Sequence, residues 1–168
     1  VTSAWLLHLF PDPAVEDAVR KRLMQIEEMS LSLDMSSTKV EVGLQASYLF
    51  QFAGLERLTD LQPMLEQNFR KTLVSRVIFK RAAAMWALGL FHETDPVPEL
   101  AKSFVGRVQD RDGQSPELLE VRRMSAVALG LIRAKSVMPE LLEAYNVDPA
   151  ISVIPDSARW SLGMMGDP

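Results

Sequence analysis

The sequence predicts an all-α protein built from stacked helix pairs, and two observations indicate this fold class. Apolar residues recur at intervals of three and four in several segments, as in helices that bury one face. A pattern also returns after 41 residues, because Gly89 and Pro98 of one segment correspond to Gly130 and Pro139 of another. One helix pair cannot bury its own apolar face, so neighbouring pairs are expected to stack and share a core.

The composition restricts the possible classes of function. The 168 residues carry a net charge of -4, which disfavours general affinity for nucleic-acid phosphates. The absence of cysteine excludes disulfides, thiol nucleophiles and thiolate metal sites. No apolar run approaches the roughly 20 residues that span a membrane. We expect a single domain over 1–168 in the cytoplasm. Since the sequence starts at Val1 without an initiator Met or a leader, we expect either a fragment of a longer protein or a processed protein.

Capping residues and periodicity predict the first three helices. Asp12-Pro13 opens a helix to about Ser30, because Asp accepts hydrogen bonds from free backbone NH groups and Pro is tolerated in the first turn. Thr38 and Glu41 have the capping-box spacing at the start of a second helix, which Gly54 is expected to end. Asp60 is the expected cap of a third helix over 61–71. The buried stripe of the first helix should contain Val15, Val19, Leu23, Ile26 and Met29.

Five further helices are predicted, separated by polar connections. The first runs to Phe91 and is rich in small residues, which let a neighbouring helix approach closely. Asp95-Pro96, followed by Pro98, marks the start of its partner, and Ser115-Pro116 repeats this signal. Ser136 and Ser157 are the expected caps of the last two helices. The predicted ranges are 75–91, 95–108, 116–133, 136–145 and 157–165, and the connections are 31–37, 109–115 and 146–156.

Three units align without gaps when they are placed on their glycines. Gly54, Gly89 and Gly130 each precede a proline by 9 residues, and each proline opens the motif Pro-x-Leu-x-x-x-aromatic. The register of the first unit is open, since either Trp5 or Pro13 can serve as its anchor. The approximate units are 1–30, 38–72, 75–109, 116–146 and a partial 156–168. The motif residues are Pro63, Leu65 and Phe69; Pro98, Leu100 and Phe104; and Pro139, Leu141 and Tyr145.

The core of the unit over 116–146 carries a family resemblance. Residues 121–130, Val-Arg-Arg-Met-Ser-Ala-Val-Ala-Leu-Gly, resemble the Val-Arg-x-x-Ala-Ala-x-Ala-Leu-Gly pattern of HEAT repeats of the short type named after phycobilisome lyases. Residues 165–168, Met-Gly-Asp-Pro, are similar to the turn between helices in that family. The resemblance implies a right-handed α-solenoid of about four to five helix-pair repeats, whose second helices line a concave surface. It implies no single activity.

Several residues that could suggest chemistry are better explained by packing. The three tryptophans recur on small-residue helices, so we expect them between repeats, together with the motif aromatics. His92-Glu93 is similar to the His-Glu ligand pairs of deoxyhypusine hydroxylase, but those pairs lie near the start of a first helix, where this chain has Arg81 and Arg122. No nucleophile elbow or phosphate loop is present. We expect no catalytic residue, metal or cofactor, and keep a bilin lyase-like or metal-dependent hydroxylase-like enzyme as an alternative.

Two candidate binding surfaces remain. Outward positions of the second helices vary in type while the core repeats, which favours a non-catalytic scaffold that binds another protein through a concave face. Gln67, Lys102 and Glu143 align in one column and Asn68, Ser103 and Ala144 in the next, with Met64, Glu99 and Glu140 alongside. The expected binding residues are Met64, Gln67, Lys71, Glu99, Lys102, Ser103, Glu140 and Glu143. The alternative is nucleic-acid binding through a segment without acidic residues, which contains Arg70, Lys71, Arg76, Lys80 and Arg81. The overall acidity favours the first hypothesis.

Overall fold

A computed structural model describes residues 8–9, 12–32, 37–69, 78–112, 115–148 and 153–166. Within these ranges the chain forms eight α-helices and no strand, which confirms the predicted all-α class. None of the described helices has the length and apolar character needed to cross a membrane. In chain order the helices are α1 (Pro13–Ser32), α2 (Ser37–Leu55), α3 (Gln62–Phe69), α4 (Ile78–Phe91), α5 (Pro98–Gln109), α6 (Leu119–Leu131), α7 (Met138–Val147) and α8 (Val153–Met165).

The chain divides into two compact units, Val1–Ala87 and Leu88–Pro168, and the division falls within α4. In the first unit, α1 packs against α2. In the second unit, α6 packs against α5 and α8, and α7 packs against the same two helices. Helices α6 and α8 therefore lie side by side in one layer, and α5 and α7 form the other layer.

Helix α1 begins where the sequence predicts. The Asp12 Oδ1 atom accepts a hydrogen bond from the Ala14 NH at 2.9 Å, as expected of a capping side chain. The predicted apolar stripe is buried at Val19, Leu23 and Ile26 and half-buried at its two ends. The sequence-based description of this helix is therefore confirmed.

The second and third helices begin differently from the prediction. Thr38 lies inside α2, which begins at Ser37, so it is not the cap. Asp60 lies inside a 3-10 turn over Thr59–Leu61, and α3 begins only at Gln62. The Asp60 carboxylate instead holds α1, because Arg20 Nε and Nη2 donate to its two oxygens at 2.9 and 3.2 Å. These hydrogen bonds from Arg20 lower the pKa of Asp60.

The Arg20–Asp60 pair gives a pH-dependent prediction. We expect Asp60→Asn to reduce the free energy of unfolding at pH 7 by only about 0.5 kcal/mol, since the pair is solvent-screened. A carboxyl whose folded pKa is depressed contributes stability above its unfolded pKa, and this contribution is lost as the pH falls through the folded pKa. Urea unfolding from pH 7 down to pH 3 should therefore show the two proteins converging at the acidic end. A difference that stays constant with pH would contradict this role for Asp60.

The prediction that Gly54 ends its helix is wrong, and neither of the other two repeated glycines ends a helix. Gly54, Gly89 and Gly130 lie within α2, α4 and α6, each of which continues one or two residues further. The left-handed backbone conformation occurs three to five residues after each glycine, at residues that are not glycine. These residues are Arg57, Thr94 and Arg133, with φ values of 53°, 66° and 52°.

The turn after α2 is repeated, bond for bond, after α6. In both turns the residue three positions after the glycine donates its NH to the glycine carbonyl, and the following residue donates to the carbonyl that precedes the glycine. These following residues, Leu58 and Ala134, are both buried. A 3-10 turn comes next in each case, over Thr59–Leu61 and over Lys135–Val137. Two distant stretches of the chain thus adopt the same local structure.

At Gly89 and at Gly130 another helix approaches the glycine backbone closely. A Cβ atom placed on Gly130 would lie 2.8 Å from the Cα of Ser161 in α8. A Cβ atom on Gly89 would lie 3.1 Å from the Cα of Ala128 in α6. The Ser161 hydroxyl also donates a 2.7 Å hydrogen bond to the Ala126 carbonyl. Gly89 and Gly130 are therefore packing residues, since a larger side chain would push the neighbouring helix away.

The last three helices also begin at positions that differ from the prediction. Helix α6 starts at Leu119 and not at Pro116, because Glu117 is buried and its NH donates to the Asp110 carbonyl at 2.8 Å. This bond keeps the residues before Leu119 out of the helix. Helix α7 starts after a 3-10 turn that contains Ser136. Helix α8 starts at Val153, four residues before Ser157.

Two arginines occupy equivalent positions, eight residues before the repeated glycine. Each donates a hydrogen bond to a backbone carbonyl near the end of a preceding helix. Arg122 donates to both Asp148 oxygens at 2.8 and 2.7 Å, and its Nε donates to the Val108 carbonyl at 2.9 Å. Arg81 donates to the Phe69 carbonyl at 3.3 Å. Both arginines are buried, with relative exposures of 6% and 3%. Both side chains therefore contribute to the fold through these buried hydrogen bonds.

The predicted packing of the aromatic residues holds for only some of them. Phe69 and Phe104 are buried, but Tyr145, at the corresponding position of α7, is 41% exposed. The preceding residue of α7, Ala144, is buried in its place. Trp160 is 44% exposed, so the prediction that it packs between repeats is wrong in the described structure.

Candidate protein-binding surface

Helix α5 has a polar side that faces solvent and an apolar side that is buried. The helix begins at Pro98, after an extended Val97, and buries Leu100, Ala101, Phe104 and Val108. Its solvent side carries the predicted residues Glu99, Lys102 and Ser103, followed by Gly106 and Gln109, which are all exposed.

Glu143 of α7 joins this strip through contacts with the end of α5. Arg111 Nη2 donates to Glu143 Oε1 at 3.0 Å, and Gln109 Nε2 donates to Glu143 Oε2 at 3.4 Å. The Lys102 ammonium makes no ion pair within the described part of the chain. Glu143 is therefore partly neutralised, whereas Lys102 is a cation directed at solvent. We call Glu99, Lys102, Ser103, Gly106, Gln109, Arg111 and Glu143 the α5–α7 surface.

The two predicted columns differ in exposure. Gln67, Lys102 and Glu143 are all exposed, as the outward placement requires. In the second column Ser103 is exposed, but Ala144 is buried. The second column is therefore not a continuous surface feature.

The other predicted members have mixed positions. Met64 and Glu140 are half-buried, and one carboxylate oxygen of Glu140 is enclosed without a hydrogen-bond partner among the described residues. Asn68, next to Gln67, is half-buried and donates from Nδ2 to Glu27 Oε1 at 3.1 Å. Lys71 lies outside the described residues.

Two cations of the predicted basic segment are used inside the first unit. Lys80 Nζ lies 2.6 Å from Glu27 Oε1 and 5.9 Å from the centre of the Phe50 ring. Arg81 is buried and bonds a helix end, as described above. The remaining members, Arg70, Lys71 and Arg76, lie outside the described residues. Neither Lys80 nor Arg81 is placed to contact a phosphate backbone, because such contacts need solvent-facing cations.

The two histidines lie in different settings. His8 Nδ1 is 2.6 Å from Glu56 Oε1, a contact that the sequence did not predict. His92 follows the end of α4, in the predicted turn. In the ranges that the structure describes, no three side chains of His, Asp or Glu are grouped so as to hold a metal ion.

Sequence reasoning missed the part that Gln109 and Arg111 play. The sequence predicts a polar connection over 109–115 that contains both, whereas Gln109 is the last residue of α5. The charge of Arg111 was the available signal, since an arginine just beyond the end of a helix can reach an acidic residue on a neighbouring helix. Its partner could not be named without knowing that α5 packs against α7.

Comparisons with the profiles of known protein families, with curated proteins and with solved structures give no match to this chain. The geometry alone defines the class, an all-helical protein with a repeated turn and a solvent-exposed polar surface on two adjacent helices. Groups that lie exposed on neighbouring helices suit contact with a macromolecule, because small ligands are usually bound in enclosing clefts.

Proposed function

We propose that this chain is a helical-repeat scaffold of the HEAT type that binds another protein. Three features support the repeat architecture: the turn shared by Arg57 and Arg133, the equivalent arginines Arg81 and Arg122, and the glycine that receives the next helix. Stacking of such units produces a solenoid, in which α5 and α7 would both contribute to one broad surface.

The observation that carries the proposed binding role is the exposure of Lys102 and Glu143 in the second unit, and Gln67, at the aligned position of the first unit, is exposed as well. These positions differ in charge from unit to unit, although the motif leucines two residues before them, Leu65, Leu100 and Leu141, are buried in all three units. A stable fold does not require Lys102, since its ammonium lies in solvent without an ionic partner among the described residues. Mixed charges on a rigid helical surface direct association and exclude partners of the wrong charge.

Protein is favoured over nucleic acid as the partner. The α5–α7 surface carries both Glu99 and Glu143 beside its cations. Carboxylates in such positions repel a phosphate backbone, and the binding of nucleic acids depends on uncompensated Lys and Arg. A protein surface with its own pairs of opposite charges fits this pattern better.

Charge reversal at Lys102 tests the proposed function. We expect Lys102→Glu to reduce the capture of specific partners from a cell extract by about tenfold, equivalent to about 1.4 kcal/mol of binding free energy. Quantitative mass spectrometry of the proteins retained by the immobilised chain would measure this. The matched control is Lys135→Glu, which makes the same charge change at an exposed residue in the turn before α7.

The comparison of the two variants decides the outcome. Partners lost with Lys102→Glu and retained with Lys135→Glu would support the α5–α7 surface. Identical capture by the wild type and by both variants would refute a role for this surface. Equal loss with both variants would also refute it, since the effect would then follow from net charge.

A further inference from the structure

The connection between α5 and α6 contains Ser115-Pro116, and the sequence has no other serine or threonine followed directly by proline. The sequence predicts that this pair opens a helix, but α6 begins only at Leu119. Ser115 is exposed and lies outside any helix. A residue that precedes proline favours an extended backbone. The pair therefore presents a hydroxyl group on an extended, solvent-facing segment.

Two other serines of the described chain are exposed, and both lie in helical backbone. Ser103 lies in α5, and its hydroxyl donates to the Glu99 carbonyl at 2.9 Å. Ser136 lies in the 3-10 turn before α7. A protein kinase binds the segment around its target hydroxyl in an extended conformation, so a serine inside a helix must first unfold locally. Ser115 meets this requirement in the folded chain.

Two arginines lie at the base of the loop that contains Ser115. The Glu117 NH donates to the Asp110 carbonyl at 2.8 Å, so the two ends of this loop are joined. Arg107 Nη1 lies 3.8 Å from Glu117 Oε2. Arg111 directly follows Asp110 at the other end. Because two residues span at most about 7 Å, Ser115 lies close to this base, and a phosphate on it could reach both guanidinium groups.

The Arg111 guanidinium is shared between two carboxylates. Its Nη2 atom donates to Glu143 Oε1 at 3.0 Å, and its Nε atom lies 3.6 Å from Asp112 Oδ2. Each carboxylate carries one negative charge, whereas a phosphoserine carries about -1.5 to -2 at pH 7 and has three acceptor oxygens. Arginine also binds phosphate with two parallel hydrogen bonds. A phosphate beside Arg111 should therefore draw its guanidinium away from Glu143.

We propose that Ser115 is a phosphorylation site whose phosphate binds Arg111 and thereby releases Glu143 of the α5–α7 surface. The enzyme is a proline-directed protein kinase, which transfers the γ-phosphoryl group of ATP to Ser115 Oγ. The bond between the γ-phosphorus and the bridging oxygen breaks, ADP leaves, and the hydroxyl proton passes to a base of the kinase. The effect of the released Glu143 charge on a partner rests on the proposed function, whereas the modification and the contact with Arg111 do not.

Phosphorylation of the whole chain tests the site. Incubation with a purified proline-directed kinase and ATP should add one phosphate, which tandem mass spectrometry should locate at Ser115. Pro116→Ala should slow the reaction at least about tenfold, because the extended preference and the recognised residue are both lost. Ser136→Ala is the matched control, since Ser136 is exposed but is followed by valine, and it should leave the rate unchanged. Circular dichroism would verify that both variants remain folded.

Phosphoserine incorporated at position 115 during synthesis tests the contact with Arg111 without a kinase. Nearby guanidinium groups favour the dianion, so phosphorus NMR should show a phosphate pKa below its ordinary value of about 6. Arg111→Gln should raise this pKa towards the ordinary value. The matched control is Arg133→Gln, which removes an exposed arginine beyond the opposite end of α6 and should leave the phosphate pKa unchanged.

Two results would overturn the proposal. A chain that the kinase leaves unmodified, or modifies equally at Ser103 and Ser136, would refute Ser115 as a specific site. A phosphate pKa that Arg111→Gln leaves unchanged, or that Arg133→Gln changes as much, would refute the contact with Arg111. Neither measurement uses a binding partner, so a failure here is distinguishable from a failure of the proposed function.

Discussion

Replacing Asp148 by alanine is expected to destabilise the second unit by about 3–5 kcal/mol, because it leaves a guanidinium buried without its counter-charge. Arg122 and Asp148 have side-chain exposures of only 7% and 4%, and two hydrogen bonds join them. Water therefore has little access to replace the lost partner. Urea unfolding at pH 7, followed by circular dichroism, would measure the change.

The control for this substitution is Asp156→Ala, which removes an acidic residue from an exposed pair. Asp156 and Arg159 lie 3.6 Å apart with side-chain exposures of 82% and 73%. Surface pairs of this kind contribute about 0–1 kcal/mol, so we expect a small change. Similar losses for Asp148→Ala and Asp156→Ala would show that burial does not set the strength of the Arg122 contact.

The second large effect is expected for Gly130→Ala. The added methyl carbon would lie 2.7–2.9 Å from the Oγ, Cα and Cβ atoms of Ser161. A backbone atom cannot rotate out of the way, so α6 and α8 must separate, and such overpacking costs about 1–3 kcal/mol. Thermal or urea unfolding should show this loss even though alanine has the higher helix propensity.

Gly163→Ala makes the same chemical change without the clash. Alanine is favoured over glycine in a helix by about 0.8–1.0 kcal/mol, and nothing in the described residues lies within 4 Å of the new methyl group. We therefore expect Gly163→Ala to be neutral or stabilising in the isolated chain. A destabilisation equal to that of Gly130→Ala would mean that the two glycines do not differ in their surroundings.

The sequence allowed the all-α class and most helix positions to be predicted, but not the role of the repeated glycines. Gly54 and Gly130 stand at the ends of apolar patterns, where local preference favours a helix terminator. The structure assigns the left-handed conformation to Arg57 and Arg133 and uses Gly130 for contact with α8. Gly130 must be small because α8, about thirty residues further along the chain, packs against it. Local helix propensity carries no information about such a distant contact.

The candidate surface was predictable in part for a similar reason. Lys102 and Glu143 face solvent as their helical positions indicate. The motif predicts that Tyr145 is buried, but Ala144 is buried instead. This difference was not predictable from the sequence, because it corresponds to a rotation of α7 by about 100° relative to the equivalent helices. The small Ala144 allows close packing, and the phenol of Tyr145 can remain hydrated.

The contacts that hold the second unit together also have a consequence for the order in which it folds. The Arg122–Asp148 pair joins residues 26 positions apart, and the Ser161–Ala126 bond joins residues 35 apart. Such separations require only short loops to close, so the entropic barrier to each contact is low. Structure can therefore spread from one helix to its neighbour in small steps, and folding does not have to wait for an encounter between the two ends of the chain.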